Sequence, residues 1–325
     1  MTAPPILSIR GLSVAFQSHG PPGRVVENLD LTLRRGEILG LVGESGCGKS
    51  VLARSILRLL PAPPARLTGE IFFGENLENL MAAGPQRLRA VRGGEISMIF
   101  QEPMTSLNPV FTVGRQMTEV VRLHTGAGRA KARKVCRDFL ASVKLPDPET
   151  VLDKYPHQLS GGQRQRVMIA TALSCGPKLL IADEPTTALD VTVQSQVLAL
   201  LNDLTRARGV STLFISHDLG VVAQLCDRVA VMYSGRLVEL APAESLFGRP
   251  AHPYTRGLLE AIPILSAPRA ELLAIPGQVP NPADPPPGCR FHPRCGQRLD
   301  RCAREVPALT AQGEHWVACF NGHDR

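Results

Sequence analysis

No stretch of this 325-residue sequence approaches the roughly 20 consecutive apolar residues that a membrane-spanning helix needs, so a helical integral membrane protein is excluded. Met1–Gly11 lacks the charged-then-apolar order of a secretory signal, and a cytosolic protein is the expectation. No internal repeat is visible, which sets the repeat architectures aside. A strong charge imbalance is missing too: a formal charge of +7 is mild for this length. It reads as solubility before attraction to nucleic acid or anionic lipid, and no nucleic-acid partner is expected. Apolar residues are abundant, 44% against 20% charged, enough for one large domain with an appendage or for two domains.

The chain is organised around Gly43-Glu44-Ser45-Gly46-Cys47-Gly48-Lys49-Ser50, which fits G-x-x-x-x-G-K-[ST] without mismatch. An apolar run, Ile38–Val42, precedes it, and Val51–Leu57 reads as a helix after it. Glycines let successive backbone N–H groups surround phosphate oxygens, and the following helix points its positive end at them. Lys49 is placed to reach the β- and γ-phosphates, and the Ser50 hydroxyl to take one position on Mg²⁺.

Before that loop, Leu7–Phe16 and Val25–Leu33 read as strands, and Phe16 is a candidate for stacking on an adenine ring as well as for the core. After it come strands at 69–73 and 95–100, with Gln101 at the end of the second. Helices are predicted over 112–124 and 129–143, the latter carrying a basic stripe that reads as a solvated face. Pro146–Pro148 breaks the chain, and a helix capped by Ser160-Gly161 runs to Leu173. Strand 178–183, helix 192–208, strand 211–215 and strands near 228–233 and 236–240 follow, so an α/β domain with a largely parallel sheet is predicted. The apolar strand ends on Asp183, suited to hold Mg²⁺, and Glu184 follows where a carboxylate can polarise a water aimed at a γ-phosphate.

Leu159-Ser160-Gly161-Gly162-Gln163 completes a set that resembles the ATP-binding subunit of an ABC transporter over roughly residues 5–265. The resemblance implies a mixed β-sheet core, an N-terminal antiparallel β-subdomain and an α-helical subdomain over about 102–172, within an ATPase domain spanning 1–263. It implies that Gly43 to Val51 bind ATP with Phe16 at the adenine. Gln101 is implied to touch Mg²⁺ and the attacking water, Asp183 to ligate Mg²⁺, Glu184 to act as the catalytic carboxylate and His217 to contact the γ-phosphate. Ala188-Leu189-Asp190 resembles the D-loop. Ser160, Gly161, Gly162 and Gln163 would complete the ATP site of an opposing ATPase subunit, so that ATP is the glue and its hydrolysis the release.

Gln101 to Pro109, Tyr155-Pro156-His157-Gln158 and His252-Pro253-Tyr254-Thr255 are similar to the dipeptide/oligopeptide permease ATPases, which also include nickel importers. An importer is implied, with a second ATPase, two membrane permease subunits and an extracytoplasmic solute-binding protein, at the cytoplasmic face of the inner membrane. Met104, Leu107, Val110 and Phe111 are candidates for a groove that receives a membrane subunit.

Six prolines between 276 and 287 predict an extended connector. The extension, set at 264–325, carries Cys289, Cys295, Cys302 and Cys319 with intervals of five, six and sixteen residues. So small a segment needs a staple, and disulfides are disfavoured in the cytosol, which leaves four thiolates on a metal centre. Zinc and iron–sulfur are even on spacing, since C-x₂₋₄-C pairs and ferredoxin patterns are both missing. The family resemblance implies a [4Fe–4S] cluster, with Arg290, Arg294, Arg298 and Arg301 offsetting its charge and no part in hydrolysis.

Overall fold

In the computed structural model, residues 3–17, 22–101, 106–186, 189–261 and 275–322 are described. The elements in chain order are β1 (Pro5–Phe16), β2 (Gly23–Arg34), β3 (Ile38–Val42), α1 (Lys49–Ile56), β4 (Ala65–Phe73), β5 (Glu78–Asn79), α2 (Pro85–Val91) and β6 (Ile96–Ile99). Four helices follow, α3 (Val113–Thr125), α4 (Arg129–Ser142), α5 (Pro148–Asp153) and α6 (Gly161–Leu173), then β7 (Leu179–Asp183), α7 (Val191–Ala207), β8 (Ser211–Ile215) and α8 (Leu219–Leu225). The chain continues with β9 (Arg228–Tyr233), β10 (Arg236–Pro242), α9 (Ala243–Gly248), α10 (Pro253–Glu260), β11 (Thr310–Gln312) and β12 (His315–Val317). It divides into two compact units, one of Met1–Ile6, Arg34–Gly36 and Ala82–Leu213, the other of Leu7–Leu33, Glu37–Met81 and Phe214–Arg325.

The first unit contains the helical stretch. All five residues of β7 are buried, as expected of a strand covered on both faces, and it pairs in parallel with β6 from Ile96 opposite Leu179 to Ile99 opposite Ala182. Helix α3 begins where the Thr112 hydroxyl accepts the Arg115 amide and ends on left-handed Gly126. Along α4, Ala132, Cys136 and Leu140 are buried at four-residue intervals, while Arg129, Lys131, Lys134 and Arg137 face solvent as predicted. The break predicted at Pro146–Pro148 is there, but Pro148 also opens the short helix α5, capped by Asp147. Arg133 fastens α4 to α5 through Glu149 at 2.7 Å and Asp153 at 3.0 Å.

The second unit holds an antiparallel sheet ordered β2-β1-β4-β5 and a mixed one. In β2 the buried Leu29, Leu31 and Leu33 alternate with exposed neighbours, the period of a strand with one covered face. In the mixed sheet β3 pairs in parallel with β9, β9 antiparallel with β10, and β10 antiparallel with β12. The last pairing ties the described part of the extension to this sheet. The described part of the extension, 275–322, contributes β12 and then β11 to the open side of β10, and belongs to the second unit. An unpaired strand edge is a ready template for further pairing, and the extension uses it. The predicted boundary at 263/264 lies outside the described residues.

Glu239 on β10 ties this arrangement together. It is fully buried and accepts the amides of Ala251 at 2.7 Å and His252 at 2.9 Å, and it pairs with His315 of β12 at 2.7 Å. Burial pushes its carboxyl up, but the His315 bond and the two amides outweigh that and hold it below the usual range. His252 itself is buried and pushed down to about 4, by desolvation first, with Glu239 opposing and Arg256 assisting. Its Nδ1 accepts the Tyr254 amide at 3.0 Å and caps α10.

A pH dependence follows. The folded chain holds His252 neutral below the ordinary pKa of about 6.5, so its contribution is present above that value and is lost as pH falls toward 4. Urea unfolding of the full chain between pH 7 and pH 4 should show a loss of up to about 3 kcal/mol from this group. His252→Asn, which keeps a capping acceptor without titrating, should flatten that part of the slope. An unchanged slope would assign the pH dependence to other groups.

Candidate nucleotide site

In the second unit β3 runs directly into the Gly43–Ser50 loop, and α1 leaves it. A Cβ on Gly43 (φ +151°) would lie 2.2 Å from the Met232 carbonyl oxygen, and one on Gly48 (φ +107°) 2.7 Å from that of Val25. Both positions therefore require glycine for space and for conformation. Lys49 is buried, and its Nζ donates to the carbonyls of Gly43 at 2.7 Å and Glu44 at 3.1 Å, so the ammonium lies over its own loop. The Gly235 amide donates to Cys47 O at 2.9 Å. Ser45 and Gly46 are exposed, while Ser50 and Val51 are half-buried at the start of α1. His217 follows Ser216, whose amide donates to Leu41 O of β3, and precedes Asp218, which caps α8. Phe16 ends β1 opposite Ala65 and is half-buried.

Glu44 is held from two directions by the C-terminal half of the chain. Its amide donates to the Tyr254 hydroxyl at 2.8 Å, and its carboxylate takes both arms of the Arg294 guanidinium at 2.7 and 3.0 Å. Sequence reasoning missed both partners. The sequence marks Tyr254 only as part of His252–Thr255, and places Arg294 beside the cysteines with no carboxylate near it in the chain.

In the first unit Asp183 ends β7 and is buried. Glu184 follows in the left-handed region at φ +47°, where few residues other than glycine sit, and its Oε2 accepts from Gln101 Nε2 at 3.1 Å. Ser160 and Gln163 cap each other: the Ser160 hydroxyl accepts the Gln163 amide at 3.3 Å, and the Gln163 side chain accepts the Ser160 amide at 3.0 Å. A Cβ on Gly162 would lie 2.8 Å from Val193 of α7, and one on Gly161 3.5 Å from Leu189. These glycines thus serve packing on α7 as well as any phosphate. Asp190 caps α7 by accepting the Val193 amide at 2.9 Å; Ala188 lies outside the described residues. Of the proposed groove residues, Leu107 is buried, Val110 is exposed, Phe111 carries Arg115 at 3.9 Å from its ring, and Met104 lies outside the described residues.

Cys289, Cys295, Cys302 and Cys319 all line one small cavity in the second unit. The sulfurs of Cys295, Cys302 and Cys319 accept backbone amides from Gln297, Leu299 and Asn321, each at 3.4 Å. Burial pushes the Cys289 thiol up to about 11 and raises Cys295 and Cys319 as well. Among the described residues, no three His, Cys, Asp or Glu side chains come close enough to hold a single metal ion. The expectation for the four arginines is corrected for two of them. Arg290 is buried against Glu27 and Ser234 O, and Arg294 on Glu44, because carboxylates in the unit offer them a charge-assisted bond. Arg301 lies over Phe320 at 4.1 Å, and Arg298 acts on Cys295.

A strand–glycine loop–helix unit carrying Lys49 and Ser50, with an acidic pair at the end of β7 and a serine-capped Gly-Gly helix start, defines an ATP-binding cassette. Comparison with known proteins agrees. The ABC transporter family model matches residues 26–187, and that of the oligopeptide/dipeptide transporter C-terminal region matches 238–302. The dipeptide transport ATP-binding protein DppD of Bacillus subtilis is 47% identical, over 97% of this chain and 94% of its own. The oligopeptide transport ATP-binding protein AppD of the same organism is 46% identical, over 97% and 96%. A solved dimeric cassette in a post-hydrolysis state with ADP and Pi is 25% identical and covers 73% of this chain and 98% of its own, with a TM-score of 0.64. The chain belongs to the ABC transporter ATP-binding subunits that carry the oligopeptide/dipeptide C-terminal region, and it is an ATPase.

The glycine geometry makes a graded prediction. Gly43→Ala and Gly48→Ala each combine a positive φ with a backbone oxygen in the way, and should lower affinity for a fluorescent ATP analogue at least about tenfold. Gly46→Ala meets nothing within 4 Å and bears only the conformational cost, about 1 kcal/mol. Equal losses at all three positions would show that φ alone matters.

Proposed function

We propose that this chain is the ATP-hydrolysing subunit of an importer of di- or oligopeptides, working with two membrane permease subunits, a second ATPase subunit and an extracytoplasmic solute-binding protein. The observation that carries it is the match of one chain both to the ATPase and, over residues 238–302, to the C-terminal region named for oligopeptide and dipeptide transporters. Among the described residues no helix is long and apolar enough to cross a membrane. In this reading the subunit works at the cytoplasmic face of the inner membrane, held there by its permease partners. Uptake of a labelled dipeptide by the complete complex in vesicles tests the substrate. ATP-dependent uptake of nickel with none of peptide would overturn the peptide part.

The chemistry follows from the residues. Lys49 neutralises phosphate charge, and the Gly43–Val51 loop offers backbone donors other than the Glu44 amide, which Tyr254 takes. Phe16 stacks on the adenine, and His217 meets the γ-phosphate. Ser50, Gln101 and Asp183 would hold Mg²⁺, which would offset charge on the phosphates. Glu184 orients the attacking water, and its bond from Gln101 fixes the carboxylate that must do so. Ser160, Gly161, Gly162, Gln163 and Asp190 face the ATP of the second ATPase subunit. Glu184→Gln should bind ATP normally and hydrolyse it about 10²- to 10⁴-fold more slowly. Near-normal turnover in the purified complex would remove Glu184 from that role.

For the extension we read a [4Fe–4S] cluster held by Cys289, Cys295, Cys302 and Cys319. Two features support it: four sulfurs on one cavity and amide donors aimed at three of them. Zinc is the alternative, and the choice of a cluster over it rests on the resemblance of this tail to that of the dipeptide/oligopeptide permease ATPases, whose C-terminal region matches residues 238–302. When bound, the cluster supplies a rigid four-point cross-link. Anaerobically purified protein should be brown and hold about four irons per chain. A colourless preparation with one zinc per chain would replace the cluster by a zinc site.

A further inference from the structure

The guanidinium of Arg294 is satisfied more completely than a surface ion pair requires. Its side chain is 5% exposed, and each of its five N–H donors faces an acceptor. Nε donates to Pro276 O at 2.8 Å. Nη1 donates to Glu44 Oε2 at 2.7 Å and to the Tyr233 hydroxyl at 3.4 Å, and Nη2 to Glu44 Oε1 at 3.0 Å and Ile275 O at 3.2 Å. Glu44 is the second residue of the phosphate loop, and Arg294 immediately precedes Cys295. The same loop residue has its amide fixed by Tyr254, and Tyr254 packs with Tyr233 at 4.6 Å and with Phe291 at 5.4 Å between ring centres. Phe291 lies between Cys289 and Arg294 in the chain and is buried. One packed cluster in one unit therefore runs from the cysteine-lined cavity to the backbone of the phosphate loop.

We propose that Arg294 is a positioning residue for ATP binding. Through Glu44 it holds the phosphate loop in the shape that receives phosphate, so the four-cysteine segment is a working part of the nucleotide site. A bidentate arginine sets both the position and the plane of the carboxylate it grips, which a lysine cannot do. The loop main chain on either side of Glu44 is the part that must present its N–H groups inward. Loosening the segment around Cys289 and Cys295 frees the fork and lets the loop relax, and nucleotide affinity falls. The inference rests on the Gly43–Ser50 loop being the ATP site.

The test uses the full-length chain in its purified complex, with equilibrium binding of a fluorescent, non-hydrolysable ATP analogue and steady-state hydrolysis. Arg294→Gln and Glu44→Gln should each weaken analogue binding about 5- to 20-fold, the range of an ordinary coupling between sites. The double variant should be no weaker than the worse single one, since both cut the same bond. KM for ATP should rise while kcat stays within about twofold, because the fork orders the loop and not the attacking water. Arg294→Lys should fail to restore affinity. Cys295→Ser should move it in the same direction. If Arg294→Gln does not fold, Glu44→Gln cuts the bond from the half-exposed side and decides alone. Affinity within twofold of the parent for Glu44→Gln and Arg294→Lys, alongside lost binding in Lys49→Ala, would overturn the role of Arg294 and leave the ATP site standing. Normal binding in Lys49→Ala would instead remove the ATP-site reading beneath it.

Discussion

The phosphate loop lies directly against backbone carbonyls at its first and last glycines. At Gly43 and Gly48 a single added carbon would stand inside the carbonyl oxygens of Met232 and Val25. Two strands, β9 and β2, thus set the path of the loop by main-chain contact, the least adjustable kind, because a carbonyl cannot change rotamer to make room. The hairpin β9–β10 is part of the same constraint, since the Gly235 amide at its turn donates to Cys47 O and its carbonyl accepts the Glu27 amide. What holds that hairpin in place also holds the loop. Much of the second unit is arranged around this requirement.

The buried charges of that unit fit this view. Arg228 meets Glu37 at 3.0 Å, with both side chains under a tenth exposed. Glu27 takes Arg236 at 3.0 Å and Arg290 besides, and although burial raises its carboxyl, Arg290 and Arg236 bring it below the ordinary range. Buried pairs of this sort add little net stability, because desolvation cancels most of the attraction; losing one partner is what costs. Their use is register. Arg290 reaches Glu27 on β2 and Ser234 O at the β9–β10 turn, so the cysteine segment sits in one position against that hairpin. Glu239 does the same between β10, α10 and β12 with three hydrogen bonds.

How much of this was legible in the sequence depends on the range of the interaction. The phosphate loop, the acidic end of β7 and the cap at Ser160 are local signals, set by residues within a few positions of one another, and they could be read directly. Helices α5 and α8 were missed because six or seven residues show too little periodicity to stand out from a loop. Strand β12 is three residues long and takes its structure from the edge of β10, some 75 residues earlier, which no local pattern encodes. The Arg290 and Arg294 assignments failed for a related reason. A long cationic side chain goes to the best carboxylate within reach, and Glu27 and Glu44 are near them only in three dimensions. The glycines of Leu159–Gln163 were read for phosphate, yet Gly162 is also pressed against Val193, a constraint visible only once α6 and α7 are packed.

The acidic end of β7 shows how a carboxylate can be aimed without being buried. Asp183 is enclosed by its strand, but Glu184 is half-exposed and turned into the left-handed region, a conformation that costs about 1–3 kcal/mol for a residue with a side chain. Such a turn changes the direction of the side chain between two successive residues far more sharply than the alternation of a strand does. Asp183 can therefore keep the place its strand assigns it while Glu184 is redirected to the amide of Gln101. A glycine at 184 would remove the strain and also remove the acid. An alanine would keep the strain without the chemistry. Strain at this one residue is what the fold accepts in exchange for two adjacent carboxyl groups that point in different directions, one enclosed by its strand and one turned to Gln101.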